Sequence, residues 1–170
     1  GKPEQKMADD GLKHIFFVHE GYQPAYHYGD DINWQYWPIK DNELRWQLHR
    51  MKWWQPMGKA YYTSKDEKYA KEWIAQYMDW IEKNPLVEKG FKNEDPDENV
   101  DLIDNVRFAW RPLEVSHRVQ DQTIQFLLFL NSENFTPEFL SHFLTNYNKH
   151  ANHIINDYSE RGNHLLFDAQ

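Results

Sequence analysis

Between residues 136 and 158 the apolar side chains keep one period, and it leaves few folds open. Leu140, Phe143, Leu144, Tyr147, Ala151, Ile154, Ile155 and Tyr158 recur at i, i+3, i+4, i+7, the spacing that lines one face of an α-helix. Thr136 can cap this helix, Pro137 suits its first position and Glu138 complements the helix dipole. Ser159-Glu160-Arg161-Gly162 is expected to end it, with Gly162 as a left-handed cap. A further helix is predicted to start near Asn163 or His164.

The rest of the chain follows the same style. A short helix is expected near Met7–Phe17, then looped chain punctuated by Gly and Pro from Glu20 to Asp31. The run Ile32-Asn33-Trp34-Gln35-Tyr36-Trp37-Pro38 is rich in rings and amides. Loops of that kind often carry function, which makes Asn33 and Trp34 candidate ligand contacts. A helix capped by Asp41 or Asn42 should present Leu44, Leu48 and Met51 on one face, with Trp46 and Trp53 along one flank. Pro56 is expected to kink or end it, with helix continuing to Tyr62. The next helix starts near Ser64 or Lys65, carries the stripe Tyr69, Trp73, Tyr77, Trp80, Ile81, and stops at Asn84-Pro85. Residues 85–109 read as a polar, acidic loop inside the same domain. A helix from Pro112 to Leu130 ends in Ile124, Phe126, Leu127, Leu128, Phe129 and Leu130, apolar nearly all round, so its second half should be buried between neighbours. Strand signals are weak. The 170 residues therefore read as one all-α domain of helix pairs: a bundle, a solenoid or an α/α toroid.

Composition narrows the partners. With no cysteine, disulfides and thiolate metal sites are excluded. No apolar run is long enough for a membrane span, and Gly1-Lys2-Pro3-Glu4 does not resemble a secretory signal. The net charge of −8 argues against general nucleic-acid binding. Much of the acid sits in one segment, Glu94 to Asp104, so a local basic cleft remains compatible with an anionic ligand. No phosphate loop, HExxH or GxSxG pattern occurs. His150 and His153 could meet on one helix face, but a pair alone does not make a metal site; neither metal nor cofactor is expected.

Two clusters could carry chemistry. In Arg161-Gly162-Asn163-His164, an amide and an imidazole at a helix start could hold a carboxylate, or Asn163 could simply cap the helix. In Trp110-Arg111-Pro112-Leu113-Glu114-Val115-Ser116-His117-Arg118, Arg111 and Arg118 are seven apart. Their planar forks suit carboxylate or sulfate; an internal salt bridge with Glu114 is the alternative. Arg50, in the first long helix, is a further cation of this kind.

The runs Asp31–Pro38, Asp41–Arg50, Trp110–Val115 and Gly162-Asn163-His164 together resemble the heparinase III family of polysaccharide lyases. The resemblance covers nearly the whole chain in order and is weakest over the acidic loop. It implies that residues 1–170 form the first part of an incomplete α/α toroid, which a β-sandwich follows in the parent chain. It implies β-elimination on heparan sulfate, without a cofactor, in the periplasm. Asn163 then corresponds to the asparagine that neutralises the uronate carboxylate, and His164 follows by analogy with alginate lyases. Arg50, Arg111, Arg118, Asn33 and Trp34 are the expected substrate contacts. The family's catalytic Tyr and second His fall beyond Gln170, so the chain by itself is expected to be inactive. A non-catalytic glycan-binding domain and a toroid glycoside hydrolase remain alternatives; hydrolysis needs paired carboxyls, for which Glu43, Glu114 and Asp121 are available.

Overall fold

The computed structural model describes residues 1–86 and 105–168, with side chains described over 1–86 and 107–162. Helices dominate it. α1 spans Lys2–Leu12, earlier than the expected Met7–Phe17. A two-stranded antiparallel ribbon follows, β1 (Ile15–Phe16) against β2 (Tyr26–His27), with Ile15 opposite His27.

α2 is Asn42–Leu48, and the Asp41 carboxylate accepts from the Glu43 amide at 3.0 Å. The expected continuation to Pro56 is not made. The chain leaves the helix after Leu48, Met51 takes φ +46°, and α3 restarts at Trp54–Ser64. Pro56 therefore sits in the first turn of α3, where its missing N–H costs nothing. A proline can open a helix as well as close one, and here the break precedes it. α4 is Glu67–Lys83, capped by Asp66. A π-helical turn, Asn105–Ala109, leads to α5, Pro112–Phe129, and to α6, Pro137–Asp168. The expected polar loop falls largely on residues 87–104, outside the described residues.

α6 differs from expectation at its end. It runs straight through Gly162 for 32 residues, about 48 Å. One helical glycine costs only about 1 kcal/mol, too little to stop a long helix. Asn163 consequently lies inside a helix, not at the start of one.

α3 packs against α1, α4 and α5, and α5 against α6. The core between them is aromatic. Phe16 stacks on Trp53 with centroids 4.0 Å apart, and Trp73 on Phe129 at 4.3 Å. Gln76 ties the indoles in: its Oε1 accepts from Trp53 Nε1 (2.9 Å) and Trp54 Nε1 (2.8 Å), while its Nε2 donates to Gly11 O (2.8 Å) and Glu72 Oε1. Gly58 lets α3 approach α5, since a Cβ there would come within 2.9 Å of Leu128 Cδ1.

α5 corrects a second expectation. Its inward stripe is Glu114, Val115, Arg118, Gln122, Gln125 and Phe129, a helical face in its own right. Ile124, Leu127 and Leu130 point away, Leu127 with 64% of its surface exposed. The helix buries a largely polar stripe, because that stripe faces α3 and α6. No described helix is long and apolar enough to cross a membrane.

Candidate functional site

Cations and rings alternate along one part of the surface, where α2 meets the π-turn and the start of α5. Lys40 Nζ lies 4.4 Å above the Trp37 ring. Beneath them the Arg45 guanidinium, 4% exposed, lies 4.0 Å from the buried Phe108 ring and 5.4 Å from Trp37, so it packs under this surface and not on it. Arg111 lies 3.7 Å over Trp46. Trp46 is held from its other end, since its Nε1 donates to Arg107 O at 3.0 Å.

Glu114 organises the end of this row. It is fully buried and accepts from Arg111 Nε (2.5 Å), Arg111 Nη2 (2.9 Å) and Arg50 Nη2 (3.2 Å). Two arginines around one buried carboxylate leave a net positive site, and the bonds fix both guanidinium planes. Half-buried rings beside fixed cations suit a sugar chain with anionic substituents: rings cover apolar sugar faces, and cations meet the acids. Glu114, caged in this way, is unsuited to act as a proton donor for hydrolysis.

Arg118 takes a different place from Arg111. It is 1% exposed, wedged against Trp80 at 4.5 Å and Trp110 at 5.4 Å. Its Nη1 donates to His49 O (3.1 Å) and its Nε to His150 Nε2 (2.8 Å). Burial pulls its pKa down to about 9, so it stays charged at neutral pH. A polymer in solvent cannot reach it; it is a core residue, and the expected pairing with Glu114 is made by Arg111 instead. The histidines around it are neutral. Burial, then the Arg118 charge, holds His49 and His150 well below their usual range. His150 Nδ1 bonds to Asn146 O and His153 Nε2 to Trp110 O, so each of these two imidazoles is committed to the packing. No cluster of three or more metal-type ligands occurs among the described residues.

The ring-rich loop also divides. Trp34 is buried, stacks with Phe16 and Trp53, and donates to Asp79 Oδ2 at 2.9 Å. It packs the core and is not a sugar platform. Asn33 is exposed, with Oδ1 accepting from the Gln35 amide, and with Asp31, Ile32, the edge of Trp34, Gln35, Lys83 and Asn84 it lines a depression of about 300 Å³. The side chains of Asn163 and His164 lie outside the described residues. The structure thus brings Arg50 and Arg111 together and leaves Arg118, Trp34 and Asn33 apart from them. Trp46, Trp37 and Lys40 belong to the row and were not expected as ligand contacts; Arg45, buried under Trp37, supports it from below. The one signal for Trp46 was its spacing of four from Arg50.

A match to the Heparinase II/III N-terminus family covers residues 1–170. A heparin-sulfate lyase of Bacteroides stercoris is 64% identical over 100% of this chain and 26% of its own length. One from Pedobacter heparinus is 52% identical over 99% of this chain and 24% of its own. Among solved structures, a heparinase III with methylated lysines superposes with a TM-score of 0.87 at 66% identity, over 99% of this chain and 27% of that one. A heparan sulfate lyase from Pedobacter heparinus gives 0.79 at 51% identity, over 90% and 22%. The chain spans about a quarter of the length of these relatives.

Proposed function

Because the chain belongs to the heparinase II/III N-terminal family, we propose that it is the helical, substrate-facing part of a lyase that cleaves heparan sulfate by β-elimination at a uronic acid. The observation that carries this reading is the 64% identity to a heparin-sulfate lyase over the whole chain. The alternating cations and rings around Trp46, Arg111 and Arg50 support it, since they suit an acidic glycan.

The chemistry asks for three things: a group that meets the uronate carboxylate, a base for the C5 proton, and an acid for the leaving glycosidic oxygen. The C5 proton is only weakly acidic beside a carboxylate anion. Hydrogen bonds to that carboxylate stabilise the enolate-like charge as it develops, and do so best when fixed in advance. Asn163 is our candidate for this role, with His164 beside it. The base and the acid come from the rest of the parent chain, as does the remainder of an α/α toroid, and the site of action is the periplasm.

The test is product formation by the full-length protein on heparan sulfate, followed by the ultraviolet absorbance of the unsaturated uronate. Wild type should form it and Asn163→Ala should not, while still binding the polymer. A full-length protein that depolymerises heparan sulfate without that chromophore is a hydrolase, and the lyase reading is then lost.

A further inference from the structure

Beside the Arg50–Glu114 pair, three half-buried titratable side chains make no hydrogen bond or ion pair with any described residue: Lys52, His117 and Asp121. Lys52 follows Arg50 by two in the loop between α2 and α3, and the residue between them, Met51, is buried. The two cations therefore flank a side chain that enters the core. His117 and Asp121 are one turn apart on α5, on the flank next to Glu114.

The four groups feel one another. Burial, then the Arg50 charge, lowers both Lys52 and His117, and burial raises Asp121 in spite of the cations around it. The obvious internal solution, a Lys52–Asp121 ion pair, is not made. Ionisable groups taken partly out of water without partners cost free energy, and such a set, with its titration displaced, marks a place that a ligand completes.

We propose that Arg50, Lys52, His117 and Asp121 form a subsite for one acidic sugar of the glycan. Lys52 and Arg50 take its sulfate or carboxylate, Asp121 accepts from a ring hydroxyl, and the His117 imidazole donates its one N–H. A bare inorganic anion fits poorly, because Asp121 would face it. A sugar that carries an acid and hydroxyls on one ring satisfies both signs of charge. The ligand class rests on the lyase reading above.

The subsite is remote from Asn163. α5 and α6 run antiparallel: Arg118 meets His150, and Trp110 meets His153. Asn163 lies ten residues past His153, beyond the start of α5, whereas His117 and Asp121 lie seven and eleven residues the other way. At 1.5 Å per residue the Arg118–His150 contact puts the axial separation at roughly 18–24 Å and the Trp110–His153 contact at roughly 25–32 Å, several sugar rings by either register. The subsite grips the polymer away from the bond that breaks, so it sets KM for long chains.

The experiment uses the full-length protein with long heparan sulfate and with a tetrasaccharide. Lys52→Ala should raise KM for the long polymer about tenfold, with kcat and the tetrasaccharide KM unchanged; Lys52→Arg should restore it, and Asp121→Asn should act in the same direction as Lys52→Ala. If Lys52→Ala melts at a lower temperature, Lys52→Met, which keeps the stem, is used instead. On an unsulfated polymer of the same backbone the effect disappears if the anion is sulfate and persists if it is carboxylate. KM unchanged, or rising in parallel for polymer and tetrasaccharide, overturns the subsite while leaving the lyase reading intact. If wild type forms no unsaturated product, the lyase reading falls by itself. Calorimetric binding of the polymer then decides the subsite: weaker binding by Lys52→Ala upholds it, and equal or absent binding overturns it.

Discussion

Arg118 donates through Nε to Nε2 of His150 at 2.8 Å, and this fixes the proton on the imidazole. Nε2 must accept, so Nδ1 carries the hydrogen and gives it to Asn146 O. Arg118→Met keeps much of the volume but strands His49 O and His150 Nε2. Unfolding by urea should show a loss of about 2–4 kcal/mol. A loss under about 0.5 kcal/mol would mean that the buried bonds are replaced without cost.

The neutral histidines give a sign to the pH dependence. In the unfolded chain His49 and His150 titrate near 6.5; in the fold burial, then Arg118, depresses both, with Arg45 acting further on His49 and His153 on His150. Below the unfolded value the unfolded state binds more protons, so their contribution is present above about pH 6.5 and is lost as pH falls toward the folded values. Each histidine should add a slope of up to about 1.4 kcal/mol per pH unit. Urea titrations between neutral and mildly acid pH should show this slope reduced in His150→Gln.

Gln76 makes four bonds at a position only 1% exposed. Gln76→Leu leaves two indole N–H groups unpaired, while the Gly11 carbonyl keeps its bond from the His14 amide, and should cost about 2–4 kcal/mol. Gln76 bonds to none of the residues of the cation–ring row, so KM of the full-length protein should not move once folding is accounted for. A change in KM at unchanged stability would show that the core and the surface row are coupled.

Trp46 carries the Arg111 guanidinium on its face. Trp46→Ala should raise KM for heparan sulfate about fivefold, the factor that roughly 1 kcal/mol of stacking converts to. Glu114→Gln keeps the shape of the cage. If the protein is a lyase, product should still form; if Glu114 were a hydrolytic acid, turnover would vanish.

The helices were legible because apolar periodicity and caps act locally. Asp41, Thr136 and Pro112 each did what their chemistry predicts. Pro56 and Gly162 misled because each is punctuation whose meaning depends on context: Pro56 opens α3, and Gly162 is carried through α6. The leucines of α5 misled because burial is settled by neighbouring helices, which face Gln122 and Gln125 instead. Arg111 and Arg118 share a face by spacing, yet only three-dimensional packing separates the one on the surface from the one under two tryptophans. The Trp46–Arg111 stack joins residues 65 positions apart, beyond any periodicity.

The bond from Arg118 to the His49 carbonyl bears on the loop that follows it. That loop carries Arg50 and Lys52, and it is pinned from below by a core arginine and from the side by Glu114. Its ordering entropy is spent during folding, before any ligand arrives. A glycan that docks there need not order the loop backbone or Arg50; of the loop's groups only the unbonded Lys52 side chain has freedom left to lose. Such a rigid jaw cannot reshape itself to a changed spacing of acids along the polymer, so it should favour chains whose acidic groups already fall at the right interval.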